Sequence, residues 1–463
     1  MFAKEIYKER RKQLASKVDK GILLFMGNEE SPMNFRDNTY HFRQDSTFLY
    51  YFGIDAPALA ALIDLDEGRE VVFGDEMSLD DIVWMGRQET LQEKCFRTGV
   101  DNLKPSSALA ETLKKAKGRK IHFLPPYRPE NKIRLSQVLG LPIETLDKSV
   151  SLEFTKAVIA QRSIKAVEEI QEIHKAAAIS ADIQHLIMKT ARPGQKERNL
   201  VASIHQAALA SGGQLAYPAI LTTRGEILHN HYYGNTLKEG QLVLNDSGVE
   251  TALGYAGDLT RTFPVAKTFT PLQKEVYDIV LEAYHQAVDL LGPGVPYLDV
   301  HLKACTTLGL GLKDLGLMKG NIDDAVAQGA HAMFFQCGTG HMMGLDVHDM
   351  EDLGEKYVGY TDAMPKNTSQ FGLKSLRLGK PLEPGYVLTV EPGLYFIPEL
   401  IDQWSAAGKF RDYINYDKLE EFRGFSGIRV EDNFLITPDG KEMLGKHLAL
   451  TTDEIEAIRA EAF

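Results

Sequence analysis

Short apolar runs alternate with helical stretches over the first third of the chain. GILLFMG, ALAALIDL, EVVFGD and KIHFLPP read as strands, and residues 3–17 and 106–117 as helices. This alternation predicts a small α/β domain over residues 1–155, with a partly parallel sheet. No glycine-rich phosphate loop interrupts it. The pattern then changes period. Ile164, Val167, Ile170 and Ile173 recur in steps of three, which predicts a long amphipathic helix from near Ser163 to near Thr190, before Ala-Arg-Pro-Gly. A second helix is expected over 196–210. A third begins at Thr270, with Pro271 at its first position and Gln273 three residues after the cap, and stops at Gly292-Pro293-Gly294. Strands are expected at 241–245, 255–264, 386–391 and 427–436. Residues 156–463 therefore read as an α+β domain built on an antiparallel sheet.

Composition narrows the partners. A chain of 463 residues is too long for one hydrophobic core, so two domains are expected. The net charge of −12 argues against nucleic acid or an anionic membrane as partner. No apolar run has the length of a membrane span, and the N-terminal MFAKEIYKERRKQLASKVDKG lacks the pattern of a signal peptide. The three cysteines, Cys95, Cys305 and Cys337, are too few and odd in number for a disulfide framework. A cytoplasmic location is the expectation.

The candidate chemistry lies in the second half. Asp246 ends LVLND before a Ser-Gly turn, and Asp258 follows twelve residues later in GYAGDLTRTF. A hairpin of that length sets two carboxylates side by side, where they repel unless a cation or proton intervenes. His341 lies in GTGHMMGLDVHD, seven residues before His348. Glu391 closes YVLTVEPG, where Pro392 must end the strand or sit at an edge. Glu431 lies in GIRVEDN, two residues from Arg429 and on the same strand face. Taken singly, each residue has an ordinary reading: a turn aspartate, a structural histidine, a solvated Arg–Glu pair. Together, four carboxylates and one imidazole make a hard, oxygen-rich set that suits a pair of divalent cations better than one tetrahedral zinc.

The order and local sequence of these five residues resemble the pita-bread metallopeptidases: methionine aminopeptidase, aminopeptidase P and prolidase. FRQDSTFLYYFGI and ALIDL also look like the N-terminal domain of aminopeptidase P and prolidase, which methionine aminopeptidases lack. The resemblance implies a pita-bread catalytic domain and hydrolysis of Xaa-Pro bonds. It implies two metal ions held by Asp246, Asp258, His341, Glu391 and Glu431, with Asp258 and Glu431 bridging. Hard ligands favour Mn²⁺, with Co²⁺, Fe²⁺ and Zn²⁺ as alternatives. Glu391 is the expected proton shuttle. His348 and His231 are the expected substrate histidines, with His229 the alternative to His231. Arg429 is placed among the substrate-binding residues. Arg377, in SLRLGKPLEPGYVLTVEPGLYF, matches the carboxylate-binding arginine of eukaryotic-type prolidase. The reading leans towards Xaa-Pro dipeptides, with longer proline-containing peptides as the alternative substrates and a homodimer as the expected assembly.

One departure stands out. Relatives usually carry a histidine four residues before the metal histidine, and here that position is Cys337. A small buried thiol is the expectation there. Two other classes compete. A binding module on the same fold requires loss of the metal ligands, and all five are present. A phosphoesterase is expected to use more histidines and a DxH-type cluster, which is absent.

Overall fold

A computed structural model describes all 463 residues. It divides into two compact units: Met1–Arg162 with Met350–Gly354, and Ser163–Asp349 with Glu355–Phe463. The 155/156 boundary expected from sequence falls inside the helix Leu152–Ser163. No helix is long and apolar enough to cross a membrane.

The first unit is built on one five-stranded sheet. Its order is Leu103–Lys104, Arg69–Phe73, Ala60–Asp64, Ile22–Met26, Ile121–Phe123. The inner three strands pair antiparallel and each outer strand runs parallel to its neighbour, so the sheet is mixed. Leu24, Leu62, Val71 and Phe73 pack with Leu109 and Leu135 of the covering helices. The segment FRQDSTFLYYFGI holds a helix, Ser46–Phe52, that the strand-and-helix pattern alone did not predict. The Asp45 carboxylate accepts from the Phe48 N–H at 2.8 Å and starts it.

The second unit is α+β. Two long helices, Pro271–Leu290 and Tyr297–Asp314, pack on each other, and the first also packs on the strands Val387–Val390, Gly393–Tyr395 and Gly427–Arg429. The first starts as the sequence predicts: Thr270 and Gln273 cap each other's backbone N–H, with Pro271 at the first turn. The helix expected from Ser163 instead begins at Val167. Tertiary contacts set the break. The Lys165 N–H donates to the Gly385 carbonyl at 2.8 Å, and its ammonium pairs with Asp349 at 2.7 Å. Ile164 and Val167, which extended the apolar period, are 41% and 69% exposed and belong to no core stripe.

Two strand expectations also need correction. The run 255–264 forms a strand only over Thr260–Pro264. The run 427–436 is two strands, Gly427–Arg429 and Asp432–Thr437. Glu431 lies between them and bridges to Thr260. The single antiparallel sheet is in fact several small ones. Thr260–Pro264, Leu242–Asp246 and Ile220–Thr222 form one, and Val387–Val390, Asp432–Thr437 and Gly440–Met443 another. The bridges Thr260 to Glu431 and Met342 to Leu388 join sheet edges to the ligand segments.

The Lys165–Asp349 pair is almost fully buried, each side chain 1% exposed. It also pins the segment after His341, since the Asp349 N–H donates to the Met342 carbonyl at 2.9 Å. Lys165→Met leaves a buried carboxylate without its cation and is expected to cost about 3–5 kcal/mol. Thermal unfolding checks this, and the double variant Lys165→Met/Asp349→Leu is expected to recover most of the loss.

Candidate active site

Each ligand-type side chain sits where a strand ends or breaks. Asp246 ends its strand opposite Thr260, in the register Thr260 to Asp246 and Arg261 to Asn245. Asp258 stands two residues ahead of that paired position. The Tyr217 hydroxyl spans the two aspartates, 2.7 Å from Asp246 Oδ1 and 2.5 Å from Asp258 Oδ1. One phenol proton serves only one of those acceptors, so the two carboxylates are under-supplied with positive charge. Glu391 follows the last residue of Val387–Val390, and Pro392 ends the pairing as its missing N–H requires.

His341 is held by its neighbours. Its backbone N–H donates to Thr389 Oγ1 at 3.2 Å, and the Thr389 N–H donates to its carbonyl at 3.1 Å. Gly340 precedes it, and a Cβ there would stand 2.1 Å from the Thr389 carbonyl oxygen and 2.2 Å from the Tyr297 hydroxyl. Only glycine fits that approach. Gly340→Ala is expected to displace His341 and cut metal-dependent activity at least about tenfold, the lower end for a displaced ligand support. Activity against metal concentration checks this.

The His341 ring nitrogens have separate tasks. Nδ1 lies 3.0 Å from the Met342 carbonyl, which makes it the N–H donor. Nε2 then presents a lone pair towards Asp258 Oδ2 at 3.4 Å and Glu391 Oε1 at 3.6 Å. A lone pair facing two carboxylates is tenable only with a cation or proton between them. One ligand atom each from Asp258, His341 and Glu431 lies within 4.8 Å of the others. Glu431 donates nothing and accepts from the Thr260 hydroxyl at 2.6 Å through Oε2, while its buried Oε1 has no hydrogen-bond partner in the protein. These observations fit a bound divalent cation.

The electrostatics agree. Burial, opposed by Arg429 and reinforced by Asp258 and Asp246, raises Glu391 to about 7. Burial, then the Asp258 and Glu391 charges, holds Glu431 well above the usual carboxylate range. Burial likewise raises Asp246 against the pull of Arg429. Burial would raise Asp258 too, and it falls below its ordinary value only when a positive charge, a proton or a cation, sits between it and His341 Nε2. A group of acids pushed upward in this way lacks positive charge.

Arg429 is not the solvated partner of Glu431 that strand alternation suggested. It is buried and pairs with Asp246 at 2.5 Å, and it donates to the Tyr395 hydroxyl at 2.8 Å. The two side chains meet only through the Thr260 hydroxyl, which accepts from Arg429 Nε at 3.2 Å and donates to Glu431 Oε2 at 2.6 Å.

All nine residues singled out from sequence line one cavity of about 230 Å³, together with Tyr217, Cys337 and His229. The His348 ring packs edge-on against His341, with centroids 4.3 Å apart. Burial, then the Arg429 charge, lowers the His229 pKa, and Asp246, Arg377 and His348 also act on it. Arg377 is 31% exposed, with Glu355 Oε1 3.7 Å from its Nε. Cys337 lies 3.9 Å from the Tyr395 hydroxyl, and burial raises its thiol to about 12. Sequence reasoning missed Tyr217, Thr260 and Thr389. Nothing in AYPAIL marks Tyr217, and the two threonines read as ordinary strand residues.

Comparison with known proteins follows the same lines. The model of metallopeptidase family M24 matches residues 171–438, and that of the aminopeptidase P N-terminal domain matches residues 7–123. The chain is 30% identical to an Xaa-Pro aminopeptidase of Escherichia coli (strain K12), covering 100% of this chain and 99% of that protein. It is 29% identical to an Xaa-Pro dipeptidase of Homo sapiens, covering 95% and 88%. Among solved structures, aminopeptidase PepP of Pseudomonas aeruginosa superposes with a TM-score of 0.82 at 28% identity, covering 100% of this chain and 99% of that one. A zinc-substituted Escherichia coli aminopeptidase P in complex with product gives 0.82 at 30% identity, with the same coverage. The two-part architecture, an aminopeptidase P-type N-terminal domain followed by a pita-bread domain, is the one the sequence resemblance implied. The chain belongs to metallopeptidase family M24, in its Xaa-Pro aminopeptidase and dipeptidase group, and is a hydrolase.

Proposed function

We propose that this protein is a dinuclear metalloexopeptidase that hydrolyses Xaa-Pro dipeptides. The observation that carries the substrate reading is Arg377, which lines the same cavity as the ligand set. A planar guanidinium is suited to a carboxylate, and only a dipeptide presents its C-terminal carboxylate one residue beyond the scissile bond. The cavity is also below the roughly 300–1,000 Å³ of sites for drug-sized ligands, as suits a short substrate. The alternative, cleavage of longer peptides, draws on the full-length likeness to aminopeptidase P structures.

Charge supports two ions rather than one. Asp246, Asp258, Glu391 and Glu431 against Arg429 leave a surplus of three negative charges. One divalent ion leaves the set negative, and two neutralise it with one positive charge to spare for a substrate anion. Asp246, Asp258, His341, Glu391 and Glu431 would hold the two ions. Hard oxygen ligands favour Mn²⁺. Bound there, such ions supply a water nucleophile at neutral pH and a polarised scissile carbonyl.

The remaining roles belong to the chain. Glu391 accepts the proton of the attacking water and returns it to the leaving proline nitrogen, which has no hydrogen of its own while acylated. Tyr217 keeps its phenol proton, because burial and the two adjoining aspartates raise it well above its usual range, and orients both carboxylates. His348 donates to the substrate carbonyl side. We take His229 as the substrate histidine in preference to His231; both line the cavity, and the charges of Arg429, Asp246 and Arg377 reach the His229 ring. His229→Ala is expected to lower kcat/KM about 10²-fold, the scale of one positioned acid–base or hydrogen-bonding group. His231→Ala is expected to stay within about threefold, as for a group outside the reacting contacts. Proline release from an Xaa-Pro dipeptide measures both, and equal losses would remove the distinction. Failure of the Mn²⁺-loaded protein to release proline from either dipeptide or longer peptide would overturn the substrate reading.

A further inference from the structure

A second group of ligand-type side chains lies in the core of the catalytic unit, outside the cavity. His301 and Cys305 are four residues apart on the helix Tyr297–Asp314, so they share one face. His331 comes from the short 3₁₀ turn Ala330–Met333. The three are 0%, 0% and 2% exposed. One ligand atom of each lies within 4.8 Å of the others.

Two of them already stand at a coordination distance from one another. Cys305 Sγ is 3.4 Å from His301 Nε2. Zn–S and Zn–N bonds of about 2.3 and 2.05 Å at a tetrahedral angle place sulfur and nitrogen about 3.6 Å apart. His301 Nδ1 is engaged by Thr339 Oγ1 at 2.8 Å, so Nε2 is the nitrogen turned to the sulfur. His331 has no such arrangement. Neither of its ring nitrogens has a hydrogen-bond partner in the protein. The Val326 backbone is near enough to act on the ring but is not aligned as a hydrogen bond. A buried imidazole with no partner is costly and is relieved by a ligand. Both imidazoles are neutral, burial pushing His301 down to about 3 and His331 to about 4, and neutral imidazole is the ligating form.

We propose that His301, Cys305 and His331 supply three ligands of a second metal site that takes one thiophilic ion, zinc. One thiolate and two imidazoles are soft and borderline ligands, whereas the catalytic set is hard. The chain would thus sort two kinds of metal between two sites. On binding, the Cys305 S–H bond breaks, the sulfur–zinc bond forms, the proton leaves to solvent, and no electron is transferred. Burial disfavours a bare Cys305 thiolate, and the charge of the ion offsets that cost. The site also has a reach. Thr339, held by His301, offers its carbonyl to the Glu391 N–H at 2.7 Å and to the Tyr297 hydroxyl at 3.0 Å, two residues before His341.

The test uses the full chain expressed with Co²⁺ as the only added transition metal. The expected result is a near-ultraviolet sulfur-to-cobalt charge-transfer band, matching one Co²⁺ per chain. It persists in Cys337→Ser and in Asp258→Asn/Glu431→Gln and is lost in Cys305→Ser. A measurement on the unsubstituted protein guards against variants that do not fold. Chain grown in Zn²⁺ is crystallised, and anomalous diffraction at the zinc edge is expected to give a peak among His301, Cys305 and His331. No band, with anomalous density only at the carboxylates, overturns the proposal. So does a band that survives Cys305→Ser and disappears in Cys337→Ser.

Discussion

Glu431→Gln is expected to reduce Mn²⁺-dependent kcat/KM on an Xaa-Pro dipeptide by about 10³-fold or more, some 4 kcal/mol of transition-state stabilisation. The amide keeps the shape of the side chain and its place beside the Thr260 hydroxyl, but removes a negative ligand oxygen. The same substitution is expected to stabilise the metal-free protein. In that state Asp246, Asp258, Glu391 and Glu431 repel in a buried space, and Glu391 titrates at about 7 in place of its ordinary 4.5. The sign follows from the raised value. The folded state binds the proton more tightly, so stability is fully present below pH 4.5 and is lost as pH rises through about 7. The loss at Glu391 alone is on the order of 3 kcal/mol. Thermal unfolding in chelator should therefore show a melting temperature that falls between pH 5 and 8. Saturating Mn²⁺ is expected to raise the melting temperature and flatten that slope, since a cation supplies the charge the proton otherwise brings. A metal-free protein equally stable across this range, with Glu431→Gln no better, would contradict the account of four mutually repelling acids.

Arg377→Ala is expected to separate the two substrate classes. Loss of a bidentate, charge-assisted contact is worth about 1.5–3 kcal/mol, or roughly 10- to 150-fold in kcat/KM. That loss should fall on Xaa-Pro and leave Xaa-Pro-Xaa-Xaa within about threefold. Arg377→Lys should recover part of it, because the charge returns without the fork. Proline release from the two substrates, compared at equal metal occupancy, decides. Uniform loss on both would make Arg377 a support of the cavity wall, and no loss on either would favour the longer-peptide reading.

Much of the candidate site was legible because each ligand-type residue sits in a short segment whose own chemistry announces it. Asp246 precedes a Ser-Gly turn, Glu391 precedes Pro392, and His341 is flanked by glycines. The capped start at Thr270 was legible for the same reason: its determinants lie within four residues. What was not legible depended on distant partners. The break at Lys165 is set by Gly385 and Asp349, and the break at Glu431 by Thr260. Both interrupt apolar patterns that continue without a gap in the sequence. Arg429 was assigned a face correctly and a partner wrongly, because alternation fixes direction along one strand and says nothing of Asp246 on another. Tyr217 carried no local signal at all.

The bridge between Thr260 and Glu431 joins positions 171 residues apart and sets the timing of metal capture. Asp246 and Asp258 leave the ribosome long before His341, and Glu431 follows His341 by a further 90 residues. A nascent chain therefore has two lone aspartates for most of its synthesis, with little selectivity for any ion. The full candidate set comes together only once the strands around Glu431 have been made and have closed on Thr260. The ion acquired is then the one available to the finished protein, and metal supply acts on this enzyme as a step of maturation separate from its synthesis.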